Sequence, residues 1–384
     1  MKSKVSDAIG LALNDLKVET VTSVPGYGGS AVLQSYNILG NKRFAISFHE
    51  EVAYTIAHGA SILGKRCTSL MKAHGFIKAA NSAVDSLYTS INAGFVTIIF
   101  DDKSGKHSDN ILEIEPILKG MYFPYKVGKT ASIYDDVIEC FLESEQRGLP
   151  YALIVDADSM EQETDFEQKS LQQCTNKYER DIYKHVVHPL LSEYQYRVFT
   201  SKRSNGETNS FPKPQLQVVP GNISETIKET VAKYTQLFEV FKNVRGEIVT
   251  GDTSASSIFA FPPYNLIDIV TYIGGSIPLA MGAYLAGAKD VWAISGDFGF
   301  ISAGYTGLIE AVERDLPIKI IILNNKKSAA TGGQQIQKTL MMRLIAGYDK
   351  YVKHISDPQD PMEVNEVLKE AKAEFELRVI IADY

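Results

Sequence analysis

The chain alternates short apolar runs with longer segments in which apolar residues recur at helical spacing. In the first half, the apolar runs have the length of strands and the longer segments that of helices. This half is predicted to form, in order, a strand at 20–24, a helix at 29–38, a strand at 43–48, a helix at 50–63, and strands at 95–100 and 151–157. Such alternation is typical of parallel sheets flanked by helices.

The same alternation begins again after a long polar stretch. The second half is predicted to form a helix at 223–241, a strand at 246–251, a helix at 276–287, a strand at 291–295, a helix at 303–314, and strands at 318–323 and 377–382. The polar stretch is too long for a simple loop, although residues 176–194 within it have helical character. We therefore predict two similar α/β domains, 1–160 and 223–384, joined by a linker at 161–222.

Composition narrows the class of protein. Of the 384 residues, 45% are hydrophobic and 22% are charged, and the formal net charge is -7. An acidic balance argues against nucleic acid or an anionic membrane as a partner. The cysteines, Cys67, Cys140 and Cys174, form no CxxC pair that could hold zinc or an iron–sulfur cluster. No signal peptide or membrane span is recognisable, so we expect a cytoplasmic enzyme.

The segment AISGDFGFISAG (293–304) places Asp297 directly after a predicted strand. Asn324 and Asn325 follow the next predicted strand, with a predicted helix between the two. Because the strands of such a βαβ unit are parallel, both polar ends lie at the carboxyl edge of the sheet, where α/β proteins bind ligands. A carboxylate and an amide oxygen suit Mg²⁺. The alternative is a helix cap at Asp297 and a simple turn at the asparagines.

The pair SGDFGF…LNNKKSA resembles the metal and diphosphate motif of thiamine diphosphate enzymes, which usually begins Gly-Asp-Gly and ends Asn-Asn. The resemblance implies that Asp297, the Asn325 side chain and the backbone carbonyl near Lys327 hold Mg²⁺, which in turn binds the diphosphate. Phe298 stands where the family usually has glycine or serine, and its bulk is expected to reshape the diphosphate pocket. The implied fold is a pyrimidine-binding domain followed by a diphosphate-binding domain, each a mainly parallel sheet flanked by helices.

Other segments resemble the cofactor contacts of that family. YIGGSIPLAMGAYLAG (272–287) is similar to the segment that lines the aminopyrimidine, with Ile277 at the position that bends the cofactor; a tightly packed helix start is the alternative. GDTSASS (251–257) either offers hydroxyl groups to the diphosphate or forms a simple turn. The residues expected to contact the cofactor are Pro25, Gly26, Thr253, Ser254, Gly275, Ser276, Ile277, Gly296, Phe298 and Gly299.

The catalytic carboxylate is expected at the start of the predicted helix at 50–63. Glu50, followed by Ala53 and then by Gly-Lys-Arg, resembles the layout of thiamine diphosphate enzymes in which a glutamate hydrogen-bonds N1' of the pyrimidine. A carboxylate that favours the helix dipole is the alternative, and the adjacent Glu51 is the second choice. His74 is a candidate acid–base residue, although a packed or surface histidine fits equally well.

Segments 71–110 and 324–334 narrow the resemblance to the indolepyruvate ferredoxin oxidoreductase alpha subunit. That family implies a 2-oxoacid substrate, decarboxylation through an enamine and electron transfer to iron–sulfur clusters. We do not expect the middle and ferredoxin domains of that subunit here. The two-domain length resembles the phosphonopyruvate and sulfopyruvate decarboxylases. We therefore expect cleavage of the C1–C2 bond, either non-oxidative or as the decarboxylating subunit of an oxidoreductase. The resemblance also implies a homodimer with the site between chains, and a redox partner subunit if the reaction is oxidative.

Two other interpretations stay open. PGYGGSA (25–31), with Glu50 after the next predicted strand, imitates a dinucleotide fingerprint and would make the chain an NAD-binding oxidoreductase. Phe298 and the two-domain length also fit a non-catalytic subunit that binds the cofactor within a larger complex.

Overall fold

The computed structural model describes residues 1–41, 44–204, 211–216 and 225–384. These residues form two compact units. The first unit consists of Met1–Glu179 and Arg197–Ser210, and the second of Arg180–Tyr196 and Phe211–Tyr384. The stretch predicted as a linker is therefore divided between the two units.

The first unit is built around a five-stranded parallel sheet with the strand order β2-β3-β4-β6-β5, and β1 pairs with β7 in a separate antiparallel ribbon. The strands are β1 (Lys2–Lys4), β2 (Thr20–Ser23), β3 (Cys67–Lys72), β4 (Phe95–Asp101), β5 (Tyr125–Val127), β6 (Tyr151–Asp156) and β7 (Glu163–Asp165). The helices are α1 (Val5–Asp15), α2 (Gly29–Gly40), α3 (Glu50–Ile62), α4 (Ala73–Lys78), α5 (Ala80–Tyr88), α6 (Ile114–Gly120) and α7 (Ile133–Arg147), with 3₁₀ turns at Thr130–Ser132 and Ala157–Ser159.

The central strands of this sheet are covered on both faces. Every residue of β4, from Phe95 to Asp101, is buried. Helices α1 and α7 contribute Ile9 and Phe141 to the core on one face, and Tyr54 of α3 packs against Phe95 at 4.8 Å between ring centroids. A strand that helices cover on both faces has an almost continuous apolar sequence. This is why FVTIIF (95–100) can be recognised as a buried strand from the sequence alone.

Two helices, α8 (Ile182–His185) and α9 (Pro189–Arg203), lie in the stretch predicted as a linker. They account for the helical character predicted within residues 176–194 at 182–185 and 189–194, whereas 176–181 form no helix. Asp181 caps α8, because its side chain accepts a hydrogen bond from the backbone N–H of Tyr183 at 3.0 Å.

The second unit has a six-stranded parallel sheet with the order β14-β15-β11-β10-β8-β9. The strands are β8 (Ile248–Asp252), β9 (Ile269–Thr271), β10 (Val291–Gly296), β11 (Lys319–Asn324), β12 (Lys327–Ser328), β13 (Gln334–Gln335), β14 (Val352–Ile355) and β15 (Arg378–Asp383), of which β12 and β13 form a small antiparallel hairpin. The helices are α10 (Glu225–Val244), α11 (Ser276–Leu285), α12 (Asp297–Gly299), α13 (Tyr305–Glu313), α14 (Leu340–Ile345) and α15 (Pro361–Ala373), with a π-helical turn at Phe300–Gly304 and 3₁₀ turns at Ala255–Ala260, Ala329–Thr331 and Asp349–Tyr351.

Helix α10 packs its apolar face on this sheet. Phe238 stacks on Phe259 with 3.5 Å between ring centroids, and Phe241 meets Trp292 of β10 edge-on at 5.2 Å. These aromatic contacts anchor the helix that borders the cleft described below.

The sequence-based elements have counterparts in the structure with one exception, the predicted strand at 43–48. Residues 44–48 form no strand, and Arg43 lies outside the described residues. Ile46 and Phe48 are 44% and 51% exposed, and the backbone N–H of Ser47 donates to Ser23 O at 2.8 Å. The strand that pairs with β2 is instead β3, whose sequence CTSLMK is less apolar than RFAISF and was not predicted.

In the described part of the chain, no helix is both long and apolar enough to cross a membrane.

Arg66, the arginine of the Gly-Lys-Arg sequence after α3, has a structural role. Its guanidinium is buried and makes two hydrogen bonds to Glu145 of α7, at 2.7 and 3.0 Å. It also donates to the carbonyl groups of Leu16 and Gln172, both at 2.8 Å. A single charged group therefore joins the turn after α3 to three other segments of the first unit.

We expect Arg66→Met to lower the free energy of unfolding by about 3–5 kcal/mol, because it leaves the Glu145 carboxylate partly buried without its partner. The neighbouring pair of Lys65 and Glu19, 2.8 Å apart with both side chains 31% exposed, provides the control. Lys65→Met should cost no more than about 1 kcal/mol. Urea unfolding followed by circular dichroism measures both values, and equal losses would contradict the structural role of Arg66.

Candidate active site

Two polar side chains lie together at the carboxyl edge of the second sheet. Strands β10 and β11 are neighbours and parallel, and Gly296 is in register with Leu323. Asp297 and Asn325 follow these strand ends, and both are buried, with 2% and 7% of their surface exposed. Both line one cleft, so the side chains that the sequence places after consecutive strands are brought together.

Asp297 is a buried carboxylate surrounded by backbone N–H groups. One oxygen accepts from Phe298 N at 2.7 Å, and the other accepts from Lys326 N at 2.5 Å. Burial nevertheless raises the pKa of Asp297 to about 6, with these hydrogen bonds acting in the opposite direction. A cation beside this carboxylate would offset the cost of burying its charge.

The orientation of Asn325 is set by two contacts. Its side-chain oxygen accepts from the backbone N–H of Lys327 at 3.1 Å, and its Nδ2 donates to Thr230 Oγ1 of α10 at 3.4 Å. Thr230 is a cleft residue that the sequence did not indicate, because it lies on an amphipathic helix far from any motif.

The cleft of the second unit contains most of the residues predicted to hold the metal and diphosphate. Of the predicted set, the cleft is lined by Thr253, Ser254, Gly296, Asp297, Phe298, Gly299, Asn325 and Lys327. The hydroxyls of Ser254 and Ser256 are 2.6 Å apart at one wall. Phe298 is 43% exposed. Gly275, Ser276 and Ile277 do not line this cleft and lie at the start of α11, where Ser276 and Ile277 are buried.

Asp252, at the end of β8, was not predicted and connects the segments around this cleft. Its side chain accepts from the backbone N–H of Ser276 at 2.9 Å and from the hydroxyl of Ser295 at 2.5 Å. Gly299 packs directly against it, since a Cβ there would lie 2.5 Å from Asp252 Oδ2. Burial raises the pKa of Asp252 to about 6, against these hydrogen bonds.

The first unit has its own cleft at the carboxyl edge of its sheet. The predicted residues Pro25, Glu50 and His74 line it together with Lys72 and His107. Gly26 lies beside it, because a Cβ at that position would be 3.1 Å from Lys72 Cγ. Three residues predicted at distant positions in the sequence are therefore neighbours in this unit.

Glu50 is the first residue of α3, and its side chain is 15% exposed. It forms an ion pair with Lys78 at 2.5 Å. Gly75 makes room for it, because a Cβ at position 75 would be 2.8 Å from Glu50 Cγ. Glu51, the second choice, instead accepts from Asn81 at 3.3 Å and does not line the cleft; burial raises its pKa.

His74 lies at the mouth of the same cleft. Its Nε2 is 2.5 Å from the side-chain oxygen of Asn110, which belongs to the segment that follows β4. The amide oxygen can only accept, so this contact assigns the proton to Nε2 of His74.

Among the described residues, no group of three or more His, Cys, Asp or Glu side chains could hold a metal ion. The predicted site needs only one carboxylate, an amide oxygen and a backbone carbonyl, with waters and phosphate oxygens completing the shell. The arrangement around Asp297 and Asn325 suits that donor set, and their role as ligands stays a prediction.

Comparison with known protein families identifies the kind of domain that the second unit resembles. Residues 251–380 match the family described as thiamine pyrophosphate enzyme, C-terminal TPP binding domain. The matched segment contains Thr253, Asp297 and Asn325. Residues 251–380 therefore resemble the C-terminal domain of thiamine pyrophosphate enzymes, and the resemblance predicted from the sequence is confirmed.

Particular relatives support the same class. The chain is 27% identical over 156 residues to the indolepyruvate oxidoreductase subunit IorA of Archaeoglobus fulgidus, covering 38% of this chain and 25% of that subunit. It is 36% identical over 73 residues to the same subunit of Methanothermobacter marburgensis, covering 19% of this chain and 12% of that subunit. The chain thus matches a quarter or less of the length of these relatives.

A solved structure confirms the predicted fold class. The thiamine diphosphate-dependent 4-hydroxybenzoylformate decarboxylase of Rhodococcus jostii RHA1 aligns with a TM-score of 0.68, over 99% of this chain and 98% of that chain. The two sequences are 13% identical, so this likeness concerns the fold. The comparisons support a thiamine-dependent enzyme rather than the NAD-binding alternative.

The raised pKa of Asp252 predicts a pH dependence of stability. Between about pH 4 and pH 6 the folded protein retains a proton that the unfolded chain has already released. The contribution of this group to stability is therefore greatest below about pH 4 and declines as the pH rises to about 6, by at most about 3 kcal/mol.

Asp252→Asn keeps the shape and can donate to the Ser295 hydroxyl oxygen, so it removes the titration with little change in packing. Urea unfolding at pH 4, 5, 6 and 7 should show the wild type losing stability relative to this variant as the pH rises. A constant difference across that range would contradict the raised pKa.

Proposed function

We propose that this protein is a thiamine diphosphate- and Mg²⁺-dependent enzyme that cleaves the C1–C2 bond of a 2-oxoacid with release of carbon dioxide. The observation that carries the proposal is the cleft in which Asp297 and Asn325 meet, within the segment that matches the TPP-binding family. The relatives named indolepyruvate oxidoreductase and 4-hydroxybenzoylformate decarboxylase support a 2-oxoacid as the class of substrate.

The residues of the second unit fit a magnesium diphosphate. Asp297 offers a buried carboxylate that backbone N–H groups compensate only in part, and the Asn325 oxygen lies in the same cleft. In this proposal Asp297, the Asn325 side chain and the carbonyl of Lys327 hold Mg²⁺. The hydroxyls of Thr253 and Ser254 and the backbone around Gly296 and Gly299 contact the phosphates. Hard oxygen donors with few carboxylates are typical of Mg²⁺ bound together with phosphate groups.

When bound, thiamine diphosphate supplies the electron sink that makes loss of carbon dioxide from a 2-oxoacid feasible. The role proposed for Glu50 is to hold a proton between its carboxylate and the pyrimidine nitrogen N1'. Its place at the start of α3, packed beside Gly75 and lining the cleft of the first unit, supports this role. Ile277, together with Gly275 and Ser276 at the start of α11, is proposed as a further contact for the cofactor.

We also propose that two chains combine, with the first unit of one chain and the second unit of its partner completing each site. The family resemblance motivates this homodimer, and sedimentation of the purified protein tests it. A redox partner subunit is part of the proposal only if the reaction is oxidative. Phe298 keeps a second candidate function open, because its bulk at the diphosphate cleft suits a non-catalytic cofactor-binding subunit.

A panel of 2-oxoacids, including pyruvate, indolepyruvate and benzoylformate, tests the proposed activity. Carbon dioxide release is measured with thiamine diphosphate and Mg²⁺, both with and without ferricyanide as electron acceptor. Release from at least one acid supports the enzyme, whereas cofactor binding without any release favours the non-catalytic subunit.

Glu50→Gln should lower carbon dioxide release at least about 100-fold, because the amide cannot exchange a proton with the cofactor. Glu51→Gln is the matched control, since Glu51 is adjacent and partly buried but does not line the cleft. It should retain activity within about threefold. Full activity in Glu50→Gln would exclude the proposed role.

Asp297→Asn should weaken binding of thiamine diphosphate in the presence of Mg²⁺ at least about tenfold, since even outer-shell changes at metal sites have effects of that size. Calorimetric titration measures this without any turnover. Glu313→Gln, an exposed carboxylate at the end of α13, is the control and should bind as the wild type does. Equal affinity in Asp297→Asn would remove the basis for the metal site.

A further inference from the structure

Residues 324–327 connect β11 to β12 and carry two of the three ligands in the proposed magnesium site, the side chain of Asn325 and the carbonyl group of Lys327. The affinity of a metal site depends on the contacts that hold its ligands in place, as well as on the ligands themselves. The contacts made by the two neighbours of Asn325, which are Asn324 and Lys326, show what holds this turn.

Lys326 has a left-handed backbone conformation, with a φ of 59°. A residue other than glycine keeps this conformation where the surrounding contacts hold it. The backbone N–H of Lys326 donates to a carboxylate oxygen of Asp297 at 2.5 Å, and its carbonyl oxygen accepts from the backbone N–H of Ile336 at 2.9 Å. The conformation of Lys326 therefore determines how the turn meets the Asp297 carboxylate.

Asp383, the last residue of β15, contacts both neighbours of Asn325. Strand β15 is parallel to β11, and Asp383 is in register with Asn324. Oδ1 of Asp383 accepts from the side-chain amide of Asn324 at 2.6 Å and lies 3.4 Å from the ammonium nitrogen of Lys326. The same ammonium group donates to the carbonyl oxygen of Tyr384 at 3.1 Å, and the backbone N–H of Tyr384 donates to the carbonyl oxygen of Asn324 at 3.4 Å. The end of β15 thus holds the turn on both sides of Asn325.

Asp383 acts on the site from outside the cleft. It does not line the cleft, and its side chain is 33% exposed. Its other oxygen, Oδ2, lies 3.8 Å from Nδ1 of His354, whose side chain is 45% exposed, so this contact contributes little. The shortest contact of the Asp383 carboxylate is therefore the one to the turn.

We propose that Asp383 is a positioning residue, which fixes the turn at 324–327 through Asn324 and Lys326 and thereby sets the affinity of the cleft for magnesium and the diphosphate. The inference rests on the proposed function and deepens it, because it adds to the site a residue that lies outside the cleft. The pairing of β15 with β11 brings this residue to the site.

Calorimetric titration with thiamine diphosphate in the presence of Mg²⁺ tests this inference without any turnover. Asp383→Ala removes the contacts to both neighbours of Asn325 and should weaken binding about tenfold, the lower end of the range for outer-shell substitutions at metal sites. Asp383→Asn keeps an oxygen that can accept from Asn324 and loses only a partly exposed ion pair, so it should bind within about threefold of the wild type.

Asp290→Ala is the matched control for a general loss of stability. Asp290 is 34% exposed and precedes β10 at the amino edge of the same sheet. It accepts from Nε1 of Trp292 at 2.8 Å and pairs with Lys372 at 3.1 Å. Its removal should lower the free energy of unfolding, which urea unfolding measures, and should leave the affinity for the cofactor equal to that of the wild type.

A double variant tests whether Asp383 acts through the turn. Lys326→Met removes the ammonium group and keeps the backbone N–H that donates to Asp297. Because Lys326 and Asp383 hold the same turn, the losses of affinity in Lys326→Met and Asp383→Ala should be less than additive when the two are combined. Fully additive losses would contradict a shared action.

Unchanged affinity in Asp383→Ala would overturn the inference, and so would an equal loss of affinity in Asp290→Ala. In both cases, weaker binding in Asp297→Asn would leave the proposed function intact. A wild type that does not bind thiamine diphosphate in the presence of Mg²⁺ would instead refute the proposed cofactor site, and the role of Asp383 with it.

Discussion

The parallel pairing of β10 with β11 is the constraint on which the second unit's cleft depends. Because the two strands run side by side in register, whatever residue follows each strand emerges at the same edge. Asp297 and Asn325 therefore line the same cleft although α13 and β11 separate them in sequence. The sheet therefore determines both where these two side chains lie and how deeply they are buried.

Burying carboxylates at this edge has an electrostatic cost. Asp252 and Asp297 both have a raised pKa, of about 6, although both accept several hydrogen bonds. Asp252 joins the ends of β8 and β10 to the start of α11. The hydrogen bonds that hold these three segments together offset the free-energy cost of burying its carboxylate. Asp297 links the end of β10 to the turn after β11, because its two oxygens accept from the backbone N–H groups of Phe298 and Lys326.

The sequence predicted the elements correctly where a local pattern of apolar residues is typical of a single kind of secondary structure. Continuous apolar runs such as 95–100 and 318–323 identified the buried strands, and Asp297 was recognisable because it follows such a run. Residues that act through hydrogen bonds to distant segments were not recognisable. Asp252 ends an unremarkable strand, and Thr230 lies on an ordinary amphipathic helix. Only the folded chain brings Thr230 to the cleft and Asp252 to the segments around it.

The strand predicted at 43–48 is the reverse case, an element that the sequence predicts and the structure does not contain. Its apolar residues suggested a buried strand, yet Ile46 and Phe48 remain exposed, while the more polar β3 occupies the sheet. Hydroxyl side chains in β3 find partners inside the sheet, as Ser69 does with Thr97 at 3.0 Å. Hydropathy alone cannot reveal such partners, since they come from a strand distant in sequence.

Residues 102–113, between β4 and α6, line part of the first unit's cleft, and His107 within them is anchored by hydrogen bonds to Asp102 and Lys72. This anchoring has a thermodynamic consequence for any molecule that enters the cleft. A wall that is already held by Asp102, Lys72 and Asp158 loses its conformational entropy when the chain folds and not when the ligand arrives. The free energy of ligand binding is then reduced less by the ordering of this wall. A preordered cleft also selects ligands by their shape, because it does not rearrange to fit each one.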